Sequence, residues 1–152
     1  MTEPDETMTR IGQGIELGQH GQRNDARQLF TKLWEQIGPD GDPLHRCALA
    51  HNMADVQEHP REELLWDLRA LEAADLVTDA RAAAAGVTSP VAGFYPSLHL
   101  NLGEAYRKLG DRQAARRHLD LGLAATRALG DDGYSTMIKR GLDGLADRLA
   151  TT

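Results

Sequence analysis

Apolar residues in this chain recur at steps of three and four, and glycine, proline or aspartate interrupts each run. Ile11, Ile15 and Leu17 lead to a stop at Gly21, and Ala26, Leu29, Phe30, Leu33 and Ile37 form the next stripe. Gly21 suits the left-handed turn that ends a helix, and Asn24 or Asp25 supplies a cap for its successor. Gly38-Pro39-Asp40-Gly41 reads as a loop. Asp42 then reads as an N-cap and Pro43 as a first helical residue, where the missing N–H costs nothing. That helix runs to about Gln57, His59-Pro60 breaks it, and Leu64, Leu65, Leu68, Leu71 and Ala74–Leu76 carry the fourth.

Residues 77–95 form an insertion in which Ala82–Ala85 extend the fourth helix until Gly86 and Ser89-Pro90 end it. Pro96 again fits a first helical position. Leu98, Leu102, Ala105 and Leu109 follow, then the stop and cap Gly110-Asp111. Ala115, Leu119, Leu123 and Leu129 run to Gly130, and Tyr134, Ile138, Leu142, Leu145 and Leu149 form a last amphipathic stripe. Seven helices and no strand pattern predict an all-α fold. Residues 1–8 offer almost nothing to bury and are expected to be a disordered tail, leaving 9–152 as a single helical domain.

Two of the helix pairs share a spacing. Leu102-Gly103, Tyr106, Gly110, Ala115, Leu119 and Gly122-Leu123 resemble the tetratricopeptide repeat, and Gly14, Leu17, Gly21, Ala26, Phe30 and Leu33 fall at the same intervals. The pair from Ala48 to Leu71 is degenerate, with His59-Pro60 in place of the turn glycine. The whole chain also resembles small actinobacterial proteins of this repeat type. The resemblance implies antiparallel helix hairpins, about three pairs stacked as a right-handed superhelix and closed by a C-terminal capping helix. Insertions lengthen the roughly 34-residue period before the second and third pairs. It also implies a protein- or peptide-binding scaffold that holds a partner in the concave groove lined by the first helix of each pair.

Charge narrows the partners. Seventeen basic residues against twenty-three acidic ones give a net charge of −6 in 152 residues, which opposes a phosphate backbone and an anionic membrane. A nucleic-acid or membrane partner is therefore not expected, while a second copy of the chain remains an alternative occupant of the groove. The polar, acidic N-terminus is no signal peptide, and a lone Cys47 fits a reducing, cytoplasmic setting. Arg107, Lys108, Arg112, Arg116 and Arg117 make the one locally basic stretch, read as a solvated surface or a seat for an acidic segment.

Candidate chemistry is sparse. There is no phosphate-binding glycine loop, no His-Glu-x-x-His motif and no nucleophile elbow, so neither an enzyme nor a cofactor is expected. Cys47, His51 and Asp55, at i, i+4 and i+8, offer zinc-ligand types and define the alternative reading, a metal-binding or enzymatic protein. One ion does not bridge the roughly 12 Å of helix between the outer two. The expected partner-binding residues are His45, Asn52 and Asp55 in the second pair. Ser97, Asn101, Glu104 and Lys108 step along one helical face of the third. His99 reads as an inter-helix histidine, and Trp34 and Trp66 as core.

Overall fold

A computed structural model describes residues 5–87 and 90–151. Among these the chain is all-α: eight helices, two short 3-10 turns and no strand. Packing divides it into two compact units, Met1–Val77 and Thr78–Thr152, where the apolar pattern pointed to one domain.

The first unit holds α1 (Glu6–Gln19), α2 (Arg23–Ile37), α3 (Pro43–Asp55) and α4 (Pro60–Ala74). Hairpins form between α1 and α2 and between α3 and α4, and α3 also packs on both helices of the first hairpin. Gly21, at φ +79°, makes the α1–α2 turn as its position suggested. Asp42 caps α3 by accepting from the Leu44 N–H at 2.9 Å, with Pro43 at the start of the helix. The core joins Ile11, Ala26, Phe30, Leu33, Leu49, Met53 and Val56.

Three expectations are corrected here. Residues 5–8 are not tail: Asp5 caps α1 by accepting from the Met8 N–H at 3.0 Å, and Met8 packs against the core. Residues 1–4 lie outside the described residues. Neither Asn24 nor Asp25 caps α2. Its N-cap is Gln22, which makes no side-chain cap bond, and Asn24 instead accepts from Arg27. Finally, α4 does not bury its leucines. Leu65 and Leu68 are 42% and 39% exposed, whereas Ala70, Ala73, Ala74 and Asp67 are buried. Small side chains let α3 and α4 approach closely, and that contact outranks the larger apolar stripe.

The second unit holds α5 (Asp79–Ala84), α6 (Tyr95–Lys108), α7 (Arg112–Ala125) and α8 (Gly133–Ala150). The insertion forms a helix of its own instead of prolonging α4. Thr78 caps α5, and the Asp79 carboxylate accepts from the Val91 N–H at 2.9 Å, bringing the two sides of the insertion together. The hairpin α6–α7 turns at Gly110, φ +82°, and Asp111 caps α7 through the Ala114 N–H at 3.0 Å. The last helix, α8, packs on both members of that hairpin with Ile138, Leu142, Leu145 and Leu149. A Cβ on Gly103 would stand 3.4 Å from the Ala115 carbonyl oxygen and 2.5 Å from Leu145 Cδ2. The close approach expected of Gly103 and Ala115 is therefore present, and Leu145 fills the space above it.

Candidate functional site

The residues singled out in the second pair separate into two places. Asn52 and Asp55, one turn apart on α3, line a cleft of about 330 Å³ with Ile15, Gly18, Arg23 and Val56. Gly18 widens it, because a larger residue there would meet Val56 Cγ1, 3.4 Å from an added Cβ. Asn52 donates its side-chain N–H to Ala48 O at 2.8 Å, which pins the amide to its own helix and leaves its oxygen as the polar face. The Asp55 carboxylate reaches solvent through the cleft mouth while protein atoms crowd its other sides. That crowding raises its pKa above the ordinary value. His51 opposes the shift, Glu63 adds to it, and Arg23 again opposes it. Arg23 itself donates to Gln57 O at 3.0 Å, so a guanidinium and a carboxylate flank one opening.

His45 is elsewhere. Its Nε2 lies 2.7 Å from Asp5 Oδ2, tying the start of α1 to α3, and it borders a second cleft with Thr7, Gln36 and Ile37. The three residues expected to act together therefore do not share one opening. The reason is the N-terminal segment, whose Asp5 recruits the imidazole.

In the second unit the expected face is mostly committed to structure. Ser97 is buried and donates its hydroxyl to Phe94 O at 3.1 Å. Glu104 accepts from Arg107 at 3.0 Å and from Arg148 Nε at 2.8 Å, joining α6 to α8. Burial would raise its pKa, but the hydrogen bonds and charges of the two arginines outweigh it and hold the carboxyl below its ordinary value. Asn101 is half-buried and Lys108 exposed. The basic stretch is likewise partly consumed, since Arg107 pairs with Glu104 and Arg112 donates to Leu149 O.

The Cys47, His51 and Asp55 series gains no support as a reactive set. Cys47 is buried, and burial pushes its thiol up to about 12, so it stays protonated at neutral pH. Among the described residues no three His, Cys, Asp or Glu side chains gather closely enough to hold a metal ion.

The sequence reading missed a buried ring column. His99 and His118 face each other across α6 and α7 with Nδ1 atoms 3.0 Å apart, as an inter-helix role for His99 required. Tyr95 stacks on His99, and Tyr106 on His118 at 5.4 Å and 9°. One neutral ring must carry its hydrogen on Nδ1 and donate, while the other accepts. Burial, then His99, then Arg117 lower the His118 pKa to about 4. Nothing local in the sequence pairs the two histidines; in the fold Gly122, one turn after His118, lies beside His99.

No described helix is long and apolar enough to cross a membrane. No family model, curated protein or solved structure matches the chain.

Proposed function

We propose that this protein is a peptide-binding scaffold of the tetratricopeptide type, with the α1–α3 cleft as its principal partner site. The observation that carries the reading is the cleft itself: it opens between the first helices of two successive hairpins. In this repeat type the first helices line the groove. Arg23, Asn52 and Asp55 supply a cation, an amide and an anion at its mouth, a set able to bind the backbone and charged ends of an extended segment. Ile15 and Val56 supply the apolar floor. The setting is the cytoplasm, where a lone buried cysteine stays reduced.

The test is an affinity capture with the parent chain and with the Asn52→Ala, Asp55→Ala double variant, each verified for helicity by circular dichroism. A partner recovered with the parent and lost with the variant supports the reading. Equal recovery by both chains would move the site away from this cleft.

A further inference from the structure

Both tryptophans of the chain meet in the first unit. Trp34 on α2 and Trp66 on α4 stand edge to face, with centroids 5.0 Å apart and planes at 84°. The Arg46 guanidinium lies 4.2 Å from the Trp34 centroid. That of Arg69 lies 4.5 Å from Trp66 and 5.7 Å from Trp34. Trp34, Arg46 and Arg69 line one cleft of about 300 Å³ together with Glu35, Gly38 and Pro39. All four side chains are half-buried, and both tryptophans pack against the core of the first unit, as expected of them, while leaving this cleft open.

A guanidinium whose carbon lies over an indole face makes a cation–π contact that consumes none of its N–H donors. Arg46 uses one of these groups on the Gly38 carbonyl. Among the described residues, no carboxylate stands within ion-pair distance of Arg46 or Arg69. Elsewhere in the chain arginines do find such partners: Arg107 and Arg148 on Glu104, and Arg27 on Glu58. The cleft thus gathers two cationic forks beside the Trp34 indole in a protein whose net charge is −6.

We propose that the cleft binds the carboxylate of an acidic peptide segment, with Arg69 as the principal fork, Arg46 as the second cation and the Trp34 indole as a wall, backed by Trp66. A planar carboxylate matches the guanidinium edge with two parallel hydrogen bonds. The volume is at the lower limit of ligand pockets and accommodates a side chain, not a nucleotide. Glu35 borders the cleft outside ion-pair reach and acts as a weak internal competitor. This site is distinct from the α1–α3 cleft. Its failure would leave the proposed function standing, and the converse holds too.

Because the chain has no other tryptophan, its intrinsic fluorescence reads this cleft directly. The experiment titrates the full chain with a blocked tetraglutamate peptide, a blocked tetraglutamine peptide and inorganic phosphate. The expected result is a saturable spectral change with tetraglutamate and none with tetraglutamine. Arg69→Gln should weaken binding about tenfold or more, and Arg69→Lys, which keeps the charge but not the fork, should not restore it. Glu35→Gln leaves both arginines in place and should tighten binding about twofold to fivefold. Equal responses to the two peptides, tighter saturation by phosphate, or parent-like affinity in Arg69→Gln with helicity retained would overturn the proposal. So would a Glu35→Gln chain that binds no more tightly than the parent.

Discussion

The hairpins α1–α2 and α6–α7 carry the same register but divide their core volume in opposite ways. Gly14, Ala26, Phe30 and Leu33 in the first correspond by spacing to Gly103, Ala115, Leu119 and Gly122 in the second. In the first hairpin the glycine is filled from within: a Cβ on Gly14 would overlap the Phe30 ring. Leu33 then completes the core, and α3 brings Leu49 and Met53 to it. In the second hairpin the glycines are filled from outside. Leu145 of α8 lies over Gly103, and a Cβ on Gly122 would come within 2.8 Å of Leu142 Cδ2. One repeat pattern therefore specifies the crossing of two helices but not which neighbour fills it. The helix packed on each hairpin, α3 or α8, is sized to what the hairpin leaves open.

The comparison can be broken most severely at the large residues. Phe30→Ala should destabilise the chain by about 3–5 kcal/mol in chemical denaturation, because the Phe30 ring is what fills the Gly14 notch. Leu145→Ala should cost a comparable about 2–5 kcal/mol although it lies on a different helix. A small effect at Leu145 would mean that α8 does not complete the hairpin core.

Acid separates the units next. His118 has a folded pKa near 4 against an ordinary value of 6.5, so between those values the unfolded chain binds a proton that the folded one does not. Stability is then complete above about pH 6.5 and falls as pH drops towards 4, by at most on the order of 3 kcal/mol. His118→Gln should flatten that dependence in melts taken across this range. A slope unchanged by the substitution would rule out His118 as its source.

Overpacking is the third lever. Ala115→Leu should destabilise by about 1–3 kcal/mol, since even a Cβ on Gly103 would stand only 3.4 Å from the Ala115 carbonyl oxygen. An unchanged melting temperature would contradict the register.

The smallest effect concerns the caps. At equivalent positions after the turn glycines, α7 has Asp111 and α2 has Gln22 without a side-chain cap bond. Asp111→Ala should cost about 1 kcal/mol, and Gln22→Asp should gain up to about that amount by reproducing the missing bond. Thermal melts of the pair should move in opposite directions.

Most helix ends were legible because Gly21, Asp42-Pro43, Pro60 and Gly110-Asp111 act within a few residues of themselves. What the sequence obscured depends on distant partners. The short α5 looked like more of α4, since alanines favour any helix and only the Thr78 cap and the Asp79–Val91 bond separate them. The leucines of α4 mimic a core stripe, yet α3 selects the alanine face. Asn52 and Asp55 were placed together by a one-turn spacing. The contact of His45 was not legible because its partner Asp5 is 40 positions away in a segment with no apolar pattern. The arginine-flanked tryptophans carry no local signal at all, being drawn from three helices.

Asp5 has one further consequence. Its Oδ1 holds the first turn of α1 through the Met8 N–H while its Oδ2 meets His45 on α3. A single carboxylate thus links the fraying of one helix end to the anchoring of another helix. In hydrogen exchange the opening amides of α1 should be slowed together with those around His45. A chain begun at residue 9, where the amphipathic pattern starts, should lose protection at both places at once.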